Sequence, residues 1–335
     1  MVNQESFSSA KPLLSICCIT YNHEKFIKDA LEGFLLQKTD FPIKIIIQDD
    51  ASTDNTAEII RSFQGLYPGL VNSILQQENQ FSKGLSFVLK NVYGAAQGKY
   101  IALCEGDDYW TDPLKLQKQV DFMEAHPECS LCCHKVQVKC EGNEEKNHLF
   151  PDLEGDQIFT RDEMYQKYIS ATCSVMFRRE KIDELISFLD GFKVGDMPLY
   201  SFYLQFGKFG YIDQVMATYR KHEDSYWHPH YQEHRFPVLF DTFTKIKSRL
   251  KIHDSPALNS QISYYADELL KKYFSEKNFK AMRSVIHKNI SSVQSAKKHR
   301  RVRFWRYALI SHFPWLYLLY KRLFKRSQNE QVPDN

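Results

Sequence analysis

No apolar run in these 335 residues is long enough to cross a bilayer. The longest candidate, around 307–320, is broken by His312 and Pro314. The N-terminus is polar and lacks the apolar core of a secretory leader, so the expectation is a cytoplasmic chain with reduced thiols. There is no Gly-x-Gly-x-x-Gly after the first apolar run and no Walker-type loop, which argues against a dehydrogenase and a P-loop NTPase. Charge of one sign is not in excess either: 44 Lys and Arg against 41 Asp and Glu give a net +3. No nucleic-acid partner is expected on that balance, although much of the basic excess lies from Lys297 onward. Internal repeats are absent.

The eight cysteines include Cys129-x-x-Cys132-Cys133-His134. A zinc site would need a second pair, for which only Cys140 and His148 are at hand. Thiols buried in strands are the better reading.

What the sequence has is alternation. Apolar stretches at 13–20, 44–48, 71–76 and 100–104 read as buried strands. Between them, 24–37, a segment through Ile59, Ile60 and Phe63, and 82–97 carry helical stripes. Asp112-Pro113 marks another helix start, with a cap followed by Pro, and 129–138 reads as a further strand. This pattern predicts an α/β fold with a mainly parallel, Rossmann-like sheet flanked by helices. Residues 141–157 read as a polar loop and Thr160-x-x-Glu163 as a capping box. Residues 171–177 and 211–219 read as strands and 181–189 as a helix. From about Tyr231 the pattern is helical. The expected organisation is therefore an α/β domain over 1–228 and a helical C-terminal region over 229–335.

Ligands of such sheets bind beyond the carboxyl ends of the strands. Three polar clusters fall there: Tyr21-Asn22-His23, Asp49-Asp50 and Glu105-Gly106-Asp107-Asp108. Acidic residues at strand ends often only cap helices. Several carboxylates packed near apolar groups, however, call for a cation, and hard oxygen donors suit Mn²⁺ or Mg²⁺. Asp196, after Gly195 and ahead of a helical stretch, reads equally well as a helix cap or as a general base.

Four segments together resemble family 2 glycosyltransferases of the GT-A fold. They are 15–22 (Ser-Ile-Cys-Cys-Ile-Thr-Tyr-Asn), 47–54 (Ile-Gln-Asp-Asp-Ala-Ser-Thr-Asp), 98–101 (Gly-Lys-Tyr-Ile) and 105–110 (Glu-Gly-Asp-Asp-Tyr-Trp). The resemblance, which covers about the first 225 residues, implies an inverting transferase that takes a sugar from a nucleotide-sugar, UDP-linked in most of the family. The acceptor would be a saccharide or lipid-linked saccharide of the bacterial surface. Thr20, Tyr21 and Asn22 would line the nucleotide pocket. Asp50 would hydrogen-bond the base, with Asp49 or Asp54 supporting its loop. Asp107 and Asp108 match the metal-binding motif, with Asp107 also near the donor, whereas Glu105 stands where the family usually has Asp. Asp196 falls at the place of the catalytic base. Thr172, Ser174 and Trp110 would lie near the acceptor, and His222 would approach the diphosphate. A nucleotidyltransferase or a non-catalytic sugar-nucleotide binder are the competing readings.

Residues 297–326 place basic clusters on both sides of an aromatic and aliphatic stretch. This suits a helix lying in a membrane interface, peripheral to the cytoplasmic face of the inner membrane, or one packed on protein.

Overall fold

The computed structural model describes residues 11–223, 225, 232–293, 298–314 and 316–317. Its contacts separate two compact units, Met1–His228 and Pro229–Asn335.

The first unit is built on a ten-stranded sheet. Its parallel half comprises β1 (Leu14–Thr20), β2 (Ile43–Asp49), β3 (Val71–Leu75) and β4 (Tyr100–Glu105), paired in the order β3-β2-β1-β4. Leu14, Ile16, Cys17 and Cys18 are all buried, because helices cover the strand on both faces. The crossovers are α1 (Ile27–Leu35), α2 (Thr56–Leu66) and α3 (Leu85–Gly94). The register pairs Thr20 with Asp49 and Ile19 with Glu105, so three strands end at one level and deliver their polar residues to one edge.

The other half departs from the expected parallel pattern. After the two-residue β5 (Tyr109–Trp110) come α4 (Lys115–Ala125) and the long β6 (Cys129–Cys140). There follow β7 (His148–Phe150), β8 (Gln157–Phe159), α5 (Arg161–Gln166), β9 (Met176–Arg178), α6 (Ile182–Phe188), α7 (Asp196–Tyr203) and β10 (Lys208–Lys221). Strand β9 runs antiparallel to both β4 and β6 and joins the two halves, while β6 and β10 are parallel. The sheet is therefore mixed, since hydrophobic periodicity does not encode strand direction. The polar stretch 141–157 contains β7, paired with β6. The strand expected over 171–177 is a 3₁₀ turn, Thr172–Ser174, followed by β9. Asp112 does not cap the first helical residue. Its carboxylate accepts the Leu114 N–H at 2.8 Å, and α4 begins at Lys115. The Thr160–Glu163 capping box is present as read.

The second unit is helical: α8 (Gln232–Arg249), α9 (Pro256–Ser275), α10 (Phe279–Asn289) and α11 (Lys298–His312). Ser255 caps α9 through the Leu258 N–H, ahead of Pro256, and Asn278 caps α10 through the Ala281 N–H. No helix among the described residues is long and apolar enough to cross a membrane.

Candidate active site

The carboxyl edge of the parallel strands gathers the acidic residues. Glu105, Asp107 and Asp108 place carboxylate oxygens within 4.8 Å of one another. Gly106 makes this turn possible. A Cβ there would lie 2.6 Å from Cβ of Thr20, so only glycine lets the loop after β4 press against the end of β1.

Asp107 is the hub. His222 Nε2, from the end of β10, lies 3.0 Å from Asp107 Oδ2, and His23 Nε2 lies 4.0 Å from the same atom. His23 is oriented by Thr20, whose Oγ1 is 3.1 Å from Nδ1. Burial opposes ionisation of Asp107, but the His222 hydrogen bond and the two imidazoles outweigh it and hold its carboxyl below the usual range. Asp108 is completely buried, and Arg220 donates its backbone N–H to Oδ1 at 2.8 Å. Burial first, then the charges of Asp107 and Glu105, push the Asp108 carboxyl well up. Glu105 keeps an exposed surface, yet protein crowds its carboxyl. Desolvation, then Asp107 and Asp196, push it up to about 8. Asp107 Oδ1 is buried and receives no hydrogen bond from another residue. An orphaned oxygen beside two further carboxylates and two imidazoles fits a divalent cation.

Arg220 ties this edge together. Its guanidinium is 6% exposed, pairs with Asp29 and Glu141, donates to the Asp107 carbonyl at 3.1 Å and lies 4.3 Å from the Tyr109 ring centroid.

Asp196 opens α7 and accepts its own helix's Met197 N–H at 2.7 Å. Tyr168 donates its hydroxyl to the other carboxylate oxygen at 2.8 Å. Burial raises the Asp196 carboxyl, and these two donors oppose the rise. Asp196 is the smallest of the three influences that raise the Glu105 carboxyl.

The nucleotide-pocket residues divide by role. Tyr21 and Asn22 are exposed, and Asn22 Oδ1 accepts the Thr53 N–H at 2.8 Å. Thr20 is buried and serves His23. Asp49 is buried and accepts from the Ser52 N–H and hydroxyl, as a support for its loop. Asp50 follows directly. It is 2% exposed, and its two oxygens accept the Gln80 and Phe81 N–H groups at 2.8 and 3.0 Å. Through them it holds the 79–81 loop.

The acceptor-side residues differ in exposure. Thr172 is accessible, but Ser174 is fully buried with its hydroxyl on the Ala171 carbonyl, and Trp110 is 2% exposed. Trp110 donates Nε1–H to the Cys173 carbonyl at 2.9 Å and so supports the 172–174 turn from below. Lys115 is buried beneath it, with its ammonium 3.9 Å from the Trp110 ring centroid and donating to Gln119, which in turn holds the Ser174 carbonyl. Burial lowers the Lys115 ammonium to about 8.

His23, Tyr168, Lys115 and Arg220 contact the candidate site residues, and none of them carries a role of its own in the sequence reading. His23 lay inside the polar cluster quoted after the first strand, and Arg220 directly follows the stretch 211–219 read as a strand. Tyr168 carries no local signal, since its partner lies 28 positions away. The zinc alternative finds no support. The cysteines are free, and among the described residues the candidate ion-holding groups are His23–Asp107–His222 and Glu105–Asp107–Asp108.

The family model described as Glycosyl transferase family 2 matches residues 15–186, more than half of the 335. The chain belongs to that family. The match takes in the acidic cluster of this family 2 member and ends before Asp196, Arg220 and His222. The uncharacterized protein Rv1520 of Mycobacterium tuberculosis (strain ATCC 25618 / H37Rv) is 40% identical over 227 residues, 66% of this chain and 62% of that protein. The match thus spans under two thirds of that relative. The dTDP-rhamnosyl transferase RfbG of Shigella flexneri is 28% identical over 217 residues, 62% of this chain and 72% of RfbG. Among solved structures, TarS 1-349 of S. aureus in complex with UDP superposes with a TM-score of 0.65 at 13% identity, covering 96% of this chain and 93% of that one. That likeness speaks to the GT-A fold.

Proposed function

We propose that this family 2 member transfers a sugar, with inversion, from a pyrimidine nucleoside-diphosphate sugar to a hydroxyl of a saccharide or lipid-linked saccharide. The observation that carries the reading is the convergence of Asp107, Asp108, Glu105, His23 and His222 at one edge, with Asp196 close enough to raise Glu105. The name of RfbG supports a dTDP-sugar and the family resemblance a UDP-sugar, so both are to be tested. A surface-polysaccharide or glycolipid setting at the cytoplasmic face of the membrane belongs to the same reading.

Asp107, with Asp108, Glu105 and the two imidazoles, would hold a divalent cation. Mixed oxygen and imidazole donors favour Mn²⁺ over Mg²⁺. When bound, the cation neutralises charge on the departing diphosphate. His222 supplies a further donor there. Asp196 removes the proton of the acceptor hydroxyl as its oxygen attacks the anomeric carbon, and its raised carboxyl suits a general base. Tyr168 fixes one oxygen of that carboxylate, leaving the other to face the acceptor together with its Met197 contact.

The test is Asp196→Asn. It keeps Mn²⁺-dependent thermal stabilisation by a UDP- or dTDP-sugar and lowers transfer by at least about 10²-fold. Transfer near the wild-type rate would exclude Asp196 as the base. Absence of stabilisation of the wild-type protein by any nucleotide-sugar with metal would exclude the reaction.

A further inference from the structure

Helix α11 has its apolar residues on two sides. Phe304, Tyr307 and Ile310 are buried within the helical unit. Tyr307 and Tyr317 pack on Phe274 of α9 with ring centroids 5.1 and 5.0 Å away. The Arg283 guanidinium of α10 donates to the Ser311 carbonyl at 2.7 Å, and Arg303 pairs with Asp267 of α9 at 3.1 Å. One face of the helix is thus docked. The opposite face ought to be polar in a helix that ends at solvent. It carries instead Val302 (63% exposed), Trp305 (55%) and Leu309 (54%), with Phe313 (50%) directly after the helix. The spacing of three, four and four residues puts all four in one stripe. At 100° per residue Arg301 and Arg306 fall on either side of it.

Along the sequence that carries this stripe the charge has one sign. Between Glu276 and Glu330 the sequence has fourteen Lys and Arg and not one Asp or Glu. Six of them, Lys277, Lys280, Arg283, Lys288, Arg300 and Arg301, lie on the described surface of the helical unit with the stripe's borders. Lys321, Arg322, Lys325 and Arg326, read from the sequence as the distal basic flank, lie outside the described residues. A protein partner or a second copy of this chain would have to supply a matching acidic rim, and a second copy has none in this region. An anionic lipid surface supplies negative headgroups and an apolar layer beneath them. An aromatic and aliphatic stripe between basic residues matches both at once.

We infer that the outward face of α11, Val302, Trp305, Leu309 and Phe313, is the surface by which this chain lies on an anionic bilayer. The stripe enters the headgroup region, Trp305 sits at the polar boundary, and the acid-free basic field supplies long-range attraction. This deepens the peripheral-membrane part of the proposed setting and is independent of the transferase chemistry: vesicle binding and nucleotide-sugar binding can each fail without the other.

The experiment uses the full chain with sucrose-loaded vesicles of phosphatidylcholine alone or mixed with phosphatidylglycerol. The wild-type chain sediments with the mixed vesicles and stays largely free of the neutral ones, and added salt releases it. The double variant Trp305→Gln/Leu309→Gln lowers partitioning at least about tenfold. Arg301→Gln lowers it about fivefold. All positions are exposed, so the variants keep the wild-type melting temperature and Mn²⁺-dependent donor stabilisation, which checks that they are folded. Three outcomes overturn the inference. The wild type fails to bind the mixed vesicles, the double variant binds them as well as the wild type, or sedimentation velocity shows a dimer that the double variant abolishes, making a second copy the occupant.

Discussion

Asp196 draws its environment from two donors of different kinds. The Met197 N–H belongs to the backbone of α7 and cannot be removed without removing the helix. The Tyr168 hydroxyl is a side chain and can. A hydrogen bond to a carboxylate favours its charged form, so the Tyr168 contact lowers the Asp196 carboxyl against the rise from burial. Tyr168→Phe therefore raises it further. The expected outcome is that the acidic limb of the kcat/KM profile moves to higher pH, with activity recovering once pH exceeds the new value. An unmoved limb would mean that Asp196 does not titrate as the base. Arg220 acts at the same scale in a different way. It touches Asp29, Glu141 and the Asp107 carbonyl, so its loss would loosen the acidic loop without removing any carboxylate.

At the scale of elements, the loop after β4 depends on Gly106. Gly106→Ala puts a methyl group against Thr20 and Ile27. The cost is about 1–3 kcal/mol of stability, with Mn²⁺-dependent donor binding weakened because the carboxylates move away from His23 and His222. Calorimetric titration with Mn²⁺ and donor checks it against the unchanged exposed-site variants of α11. The strand ends that carry this loop were legible in the sequence, because β1, β2 and β4 are short apolar runs that stop abruptly at polar residues. The environment of single side chains was not. Trp110 lies beside two aspartates, and no local pattern shows that β5 turns it inward onto Cys173. Lys115 stands in a first helical turn, and only the tertiary packing puts it under Trp110. The two N–H groups that Asp50 accepts come from residues about 30 positions away, a pairing no local pattern carries. Strand β9 is three residues long and gives no periodicity to read.

At the scale of the whole molecule, the acidic edge makes stability depend on pH and metal together. Glu105, pushed up to about 8, and Asp108, pushed above the usual range, bind protons more tightly folded than unfolded. Their contribution is complete below the ordinary carboxylate range and is lost as pH rises through the folded values. The contribution of these two groups to the melting temperature of the metal-free protein should therefore fall from about pH 5 toward pH 8. Mn²⁺ should flatten that loss, because the cation takes over the neutralising role of the protons. A scan of melting temperature against pH, with chelator and with Mn²⁺, measures both slopes. Equal slopes would remove the carboxylates as the cation's ligands.

The cysteines give this molecule a clock. Seven of the eight are buried and Cys140 alone is partly accessible. Burial pushes the thiols of Cys17, Cys18, Cys104, Cys132, Cys133 and Cys173 above their ordinary value, where a thiolate is scarce. They lie on β1, on β4, on β6 and in the turn beneath the site, so a reagent reaches them only when the sheet opens. Mixed with a thiol reagent under native conditions, the protein should show one fast modification and seven slow ones. The slow phase would time the opening of the sheet itself. A nucleotide-sugar bound with metal at the carboxyl edge would lengthen that interval, turning occupancy of the site into a delay that mass spectrometry can count.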